Sequence, residues 1–163
     1  MAYPKLKIKK LFPDAQIPTK SFPTDSGFDL YAYKIEKLFG SSEHDPHVYS
    51  NGTFSLAPGY RALVNTGISA TVGPGYELQI RPRSGLALKS GLTVLNTPGT
   101  VDASYRGTIS VILLNASNKP CTIDKGMRIA QMVVCPVILS ELEEVSDLDD
   151  TERGSGGFGS TGV

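Results

Sequence analysis

Apolar residues recur at every second position in short runs along this chain, and glycine or proline closes most of the runs. Leu6 and Ile8, then Tyr76, Leu78 and Ile80, then Ile109, Val111 and Leu113 each alternate with polar neighbours. A period of two turns alternate side chains toward one face of a strand, so each run predicts a half-buried β-strand. The segment 127–134 begins with the same alternation and ends as a continuous apolar run, the pattern of a strand buried on both faces. Pro58-Gly59, Pro74-Gly75 and Pro98-Gly99 read as turns between strands. One short helix is predicted at 85–91, GLALKSG, bounded by a glycine at each end. Ile138, Leu142, Val145 and Leu148 fit helical spacing, but the same stretch reads equally as a strand. Many short strands and so little helix predict an all-β domain, a double-sheet jelly roll or barrel-like sandwich, and exclude a βαβ fold.

Three stretches break the alternation. Residues 34–53 hold both histidines and many polar groups and read as a long exposed excursion between strands. Residues 141–152 carry seven acids and no base, the composition of a solvated linker. Residues 153–163, RGSGGFGSTGV, are too poor in apolar side chains to fold alone and read as a mobile tail. The expected organisation is therefore a core over 1–140, an acidic linker over 141–152 and a glycine-rich lid over 153–163.

A chain of 163 residues suits one domain with a real core and leaves no room for a second catalytic domain. Sixteen basic and sixteen acidic side chains cancel, so no general attraction to nucleic acid or to an anionic membrane is expected. Any anionic ligand must be held by a local cluster. No apolar run reaches the roughly 18 residues of a membrane span, and the lysine-bearing start lacks a leader-like apolar segment. Cys121 and Cys135 sit in strand-like segments without metal-ligand spacing and read as buried free thiols. Together these features predict a soluble protein in a reducing, intracellular compartment.

The tail contains two patterns that spacing discounts. Gly154, Gly156 and Gly159 fit GxGxxG, but that fingerprint needs a strand before it and a helix after it. Residues 154–161 fit a phosphate-binding loop except that Ser160 stands where lysine belongs. The physics common to both survives: consecutive glycine amides can form an anion nest, with charge from Arg153 and hydroxyls from Ser160 and Thr161. The plain alternative is a flexible terminus with no role.

Four further segments carry chemistry. In RPRSGLALKSG, Arg83 and Ser84 stand just ahead of the short helix, where a guanidinium, a hydroxyl and free amides can meet one phosphate. NTPGTVDASYRG, 96–107, has hairpin character around Asp102 and Tyr105, although an aspartate in a turn is usually structural. DSGFDLYA, 25–32, offers two carboxylates around a glycine. GMRIAQMVV, 126–134, sets Gln131 inside an apolar strand, where it must be a network residue or a ligand donor.

Taken in order, PRSG at 82–85, PGTVDASYRG at 98–107, RIAQ at 128–131 and RGSGGFGSTG at 153–162, with the 25–32 segment, resemble the five motifs of the homotrimeric dUTPase family. The resemblance spans roughly residues 25–162. It implies a jelly-roll subunit in a homotrimer whose active sites are each built from three chains, one of which supplies the tail as a lid. It implies hydrolysis of dUTP to dUMP and pyrophosphate by water attack at the α-phosphorus, which limits uracil in DNA and supplies dUMP for dTMP synthesis. Asp102 would orient and deprotonate the water. Asn96 and the backbone of Gly99, Thr100 and Val101 would read uracil, Tyr105 would exclude a ribose hydroxyl, and Phe158 would stack on the base. Arg83, Ser84, Gly85 and Gln131 would hold the triphosphate from below; Arg153, Gly159, Ser160 and Thr161 would cover it from above. Mg2+ would ride on phosphate oxygens, steadied by Asp29 through water. Residues 34–53 look longer than the matching loop of compact members and would be either inert or a partner-binding addition. The rivals are dCTP deaminase, which shares the fold but needs a glutamate to activate water at the base, and a non-catalytic nucleotide sensor or scaffold.

Overall fold

The structure is a computed structural model that describes residues 3–40 and 52–157. Its strands begin with β1 (Lys7–Lys10), β2 (Gly27–Tyr31), β3 (Lys34–Phe39) and β4 (Phe54–Leu56). β5 (Arg61–Asn65), β6 (Ile68–Thr71) and β7 (Tyr76–Arg81) lead to the helix α1 (Ser84–Ser90). After it come β8 (Leu92–Val94), β9 (Gly99–Val101), β10 (Ser110–Asn115), β11 (Cys121–Ile123) and β12 (Arg128–Pro136). All pairings between these strands are antiparallel. Two four-stranded sheets, ordered β3-β5-β10-β8 and β2-β12-β7-β9, are flanked by the two-stranded pairs β1-β6 and β11-β4. The all-β, jelly-roll-like double sheet expected from the alternation is the observed architecture.

The apolar residues of the alternating runs meet in one core. Val111 and Leu113 from β10 join Leu78 and Ile80 from β7 and Met132 from β12, each at most 4% exposed. A site this enclosed cannot collapse freely, so Leu113→Ala would cost about 2–5 kcal/mol. Within β12, Ile129, Ala130, Met132 and Val133 are buried as expected for a strand covered on both faces. Polar groups inside the core are partnered: Asn115 donates through Nδ2 to Leu56 O and Lys119 O, both at 2.8 Å.

Five details differ from the reading of the sequence. Residues 34–39, taken as the start of an exposed excursion, form β3 along the edge of one sheet, while 41–51 lie outside the described residues. A bulge between Ile35 and Lys37 shifts the register, so the inward residues Ile35 and Leu38 fall three apart and break the alternation. Second, Pro98-Gly99 does not close a hairpin; Gly99 opens β9, which pairs with β7, while β8 pairs with β10 in the other sheet. Residues 102–109 are thus a corner between sheets. Third, Cys121 and Cys135 are free but only partly buried. The Cys121 thiol donates to Ser90 O at 3.2 Å, and the Cys135 sulfur accepts from Arg81 at 3.4 Å. The helix runs one residue earlier than predicted and stops at Gly91, whose φ of 63° permits the left-handed cap. Beyond Pro136 no strand or helix forms up to residue 157, so 138–148 is neither of the two elements its spacing allowed.

Candidate active site

The sheet β2-β12-β7-β9 divides its two faces by chemistry. Directly paired residues point to the same side, so Asp29, its partner Gln131 and Gln131's partner Arg81 share one face. Gln79 lies two residues along from Arg81, and its partner Thr100 belongs to the same face. The opposite face presents Leu30, Ala130, Met132 and Ile80 to the core. Of the candidate residues, Asp29, Gln131 and Thr100 lie on the polar face, and Arg83, Ser84 and Gly85 follow the end of β7.

At one end a cleft of about 340 Å³ is lined by Arg83, Ser84, Gly85, Gln131 and Asp29, together with Asp25 and residues of the 21–27 segment. Its side chains are wired to one another. One oxygen of the Asp29 carboxylate, whose side chain is 13% exposed, lies 2.9 Å from Arg83 Nε, and the other lies 3.1 Å from Arg128 NH1. Arg83 also donates to the Arg128 carbonyl at 3.3 Å. Gln131 Nε2 donates to Pro82 O at 2.9 Å, which ties the Arg83-bearing segment to β12. A side chain at position 27 would collide with that of Gln131, so Gly27 makes the room Gln131 occupies. Arg83, the Ser84 hydroxyl and the Gln131 amide bring several donors to one cleft, which suits phosphate oxygens. Gln131 is thus a network residue that also faces the cleft.

At the other end a cleft of about 470 Å³ is lined by Thr100, Val101, Asp102 and Tyr105, with Glu36, Leu63 and 108–110. Asp102 is exposed and immediately follows β9. Its carbonyl accepts from Tyr105 N at 3.0 Å, which closes a turn, and the Tyr105 hydroxyl donates to Thr108 O at 3.0 Å. A Cβ on Gly107 would overlap the Tyr105 ring, so glycine there lets the ring fold back. Asn96 is exposed with its amide nitrogen beside Gly99, and neither residue lines this cleft.

The two clefts share no lining residue. Val101 pairs with Leu78 and Gln131 with Arg81, so they stand three residues apart along β7 and on strands two spacings apart. At about 3.3 Å per residue and about 4.8 Å per strand, roughly 14 Å separates them. Of the tail, Arg153 is exposed and donates from Nε to Gly156 O at 2.9 Å within its own turn. Phe158, Gly159, Ser160 and Thr161 lie outside the described residues.

Two charged residues were missed in the sequence. Arg128 opens the RIAQ segment, but its role depends on reaching Asp29 of the neighbouring strand from its own pairing with Tyr31, which no local spacing reveals. Glu36 enters the Asp102 cleft at the β3 bulge, held by Asn65 Nδ2 at 2.7 Å. Among the described residues no group of three or more His, Cys, Asp or Glu could hold a metal ion.

Comparison with known proteins is consistent with this arrangement. A dUTPase family model matches residues 46–162. The deoxyuridine 5'-triphosphate nucleotidohydrolase of Nautilia profundicola is 50% identical over 158 residues, 97% of this chain and 99% of that protein. Its counterpart from Ehrlichia canis is 51% identical over 149 residues, 90% of this chain and 87% of the relative. Among solved structures, a mutant dUTPase of Staphylococcus bacteriophage 80alpha with dUpNHpp superposes with a TM-score of 0.77 at 26% identity, covering 98% of this chain and 99% of that one. The chain belongs to the dUTPase family.

Proposed function

We propose that this chain hydrolyses dUTP to dUMP and pyrophosphate, and that it does so as a homotrimer whose active sites are shared between subunits. One observation carries the reading: the donor-rich Arg83 cleft and the exposed Asp102 carboxylate belong to separate clefts with no lining residue in common. A carboxylate that must act at the α-phosphorus works within one water of the phosphate seat. A copy of the chain supplying its Asp102 corner to a neighbour's Arg83 cleft meets that requirement.

In the proposed reaction Asp102 orients a water and accepts its proton as the water oxygen bonds to the α-phosphorus. The bond from that phosphorus to the oxygen bridging it to the β-phosphorus breaks, and pyrophosphate leaves with the electron pair. Arg83, Ser84, Gly85 and Gln131 hold the phosphates. Asn96 with the backbone of Gly99, Thr100 and Val101 reads the uracil edge, and Tyr105 closes the space a ribose hydroxyl would need. Phe158 stacks on the base, while Arg153, Gly159, Ser160 and Thr161 close over the phosphates from a third subunit.

Mg2+ carried on the nucleotide fits this donor set, because the Asp25 and Asp29 carboxylates line the cleft beside the phosphate donors and magnesium keeps several waters while using few protein ligands. Bound there, it would neutralise charge on the triphosphate oxygens. Asp29, whose two oxygens face Arg83 and Arg128, would steady the ion through water. No helix among the described residues is long and apolar enough to cross a membrane. The free, partly buried thiols of Cys121 and Cys135 support a reducing intracellular compartment.

The test is pyrophosphate release from dUTP beside dTTP, dCTP and UTP, with ammonia followed for dCTP. Rapid release from dUTP alone is expected. Ammonia from dCTP would assign the deaminase chemistry instead, and no turnover of any nucleotide would leave a binding module.

A further inference from the structure

We propose that Arg106 is a positioning residue which holds Asp102 and Tyr105 in one fixed relation, an inference that rests on the dUTP reading above. The corner 102–109 joins β9 in one sheet to β10 in the other and has no strand ladder of its own. Within its first turn the backbone bond is the one from Tyr105 N to Asp102 O. Side chains supply the rest. Arg106 NH1 donates to Ala103 O at 2.7 Å, to Tyr105 O at 2.7 Å and to Thr71 Oγ1 at 3.1 Å. The Thr71 hydroxyl donates to the same Ala103 carbonyl at 2.9 Å, and Ser69 Oγ donates to Arg106 O at 2.9 Å.

One guanidinium nitrogen thus gathers two carbonyls of the corner and fastens them to β6. Its two hydrogens serve three acceptors, so at least one is shared, and the positive charge strengthens each bond. The Tyr105 ring is held separately, by Gly107 and Thr108 O. Loss of Arg106 therefore frees the backbone between Asp102 and Tyr105 while leaving the ring's own contact. The carboxylate that handles the water and the ring that screens the sugar would then drift together. These NH1 partners all belong to the corner or to β6, which is what assigns this nitrogen a positioning role.

The experiment measures steady-state kinetics on dUTP and UTP for the wild type, Arg106→Met, Arg106→Lys, Thr71→Val and the Arg106→Met/Thr71→Val double variant. Arg106→Met is expected to lower kcat on dUTP roughly 10- to 100-fold, the scale of a misplacement near 1 Å, and to shrink the dUTP-to-UTP ratio of kcat/KM. Arg106→Lys restores part of both. Thr71→Val moves both in the same direction by less, and the double variant is no worse than Arg106→Met, since both lesions act on Ala103 O. An Arg106→Met enzyme with unchanged kcat and unchanged selectivity overturns the inference. So does one whose KM rises equally for both nucleotides at constant kcat, the mark of a phosphate contact. Should Arg106→Met fail to fold, Thr71→Val decides by the same two readouts. A wild-type chain inactive on dUTP removes the functional reading and this inference together; an active wild type with indifferent variants removes the inference alone.

Discussion

The polar face of the β2-β12-β7-β9 sheet and the segment after β12 handle their side chains in opposite ways. On the sheet each functional group already has a partner within the chain: Asp29 with Arg83 and Arg128, Gln131 with Pro82 O, Gln79 between Glu77 and Arg81. Beyond Pro136, Ile138, Leu142 and Leu148 stand 93%, 94% and 85% exposed, in no strand or helix. Burying one such side chain is worth about 1.5–3 kcal/mol, so a row of them left in water marks a surface that another body covers. The sheet side of the phosphate seat is wired together inside one subunit, while in the proposed trimer the C-terminal segment finds its cover on a neighbouring subunit and closes over that neighbour's seat.

The largest expected effect falls on the chemistry, at the Asp102 corner that the sheet side of this comparison presents to a neighbouring copy. Asp102→Asn should lower kcat roughly 10²- to 10⁴-fold, the usual scale for losing a general base, with nucleotide affinity retained. Single-turnover rates beside equilibrium binding check this, and full turnover would remove Asp102 from its role. Cutting the chain after Asp150 tests the other side: the core should fold and assemble while turnover falls, because the proposed lid is gone and the sheets are not. Sedimentation together with pyrophosphate release reads both, and dissociation of the assembly would make the tail structural.

Next in size is Asp29→Asn, which removes the charge that orients Arg83 and Arg128. Hydrogen bonds to charged groups are worth about 1.5–3 kcal/mol, so KM should rise about tenfold or more with a smaller change in kcat. A pure loss of kcat would make Asp29 part of the chemistry rather than of the seat.

Smallest is a surface network of the same self-contained kind. Lys125 Nζ lies 2.6 Å from Asp14, and the Tyr33 hydroxyl donates to Asp14 at 2.8 Å. Lys125 and Tyr33 hold the Asp14 carboxyl below its ordinary 3.8, and Asp14 in turn raises Lys125 above 10.5 and Tyr33 above 10.0. The Asp14 contribution to stability is therefore present above pH 3.8 and lost as pH falls through its lowered value. The Lys125 and Tyr33 contributions are present below their ordinary values and lost as pH rises through the raised ones. Melting temperature against pH should be flat between those limits for this group. Lys125→Met should flatten both flanks slightly and leave kcat unchanged.

The same contrast explains what was legible in the sequence. Leu78, Ile80, Val111 and Leu113 announced their strands because alternation is a local property, and each is buried where the period puts it. β3 was hidden because its bulge spaces Ile35 and Leu38 by three. Arg128 escaped because its partner Asp29 is 99 residues away and comes within reach only through the pairing of β2 with β12. The corner at 102–109 looked like a hairpin because Pro-Gly names a turn without naming which strands it joins. Ile138, Leu142, Val145 and Leu148 gave an ambiguous period, and all four are exposed in the isolated chain. A surface on another molecule would decide their conformation, and no single sequence encodes it alone.

Subunit mixing tests the shared site most directly. Asp102→Asn and Arg83→Ala chains, each inactive by itself, are unfolded, mixed in equal amounts and refolded, and pyrophosphate release from dUTP is measured. If one copy supplies Asp102 to another copy's Arg83 cleft, random assembly leaves about a quarter of the sites with both residues intact, and activity returns to about that fraction of wild type. If mixed assemblies form and stay as inactive as their parents, both residues serve from the same chain and the composite site is wrong.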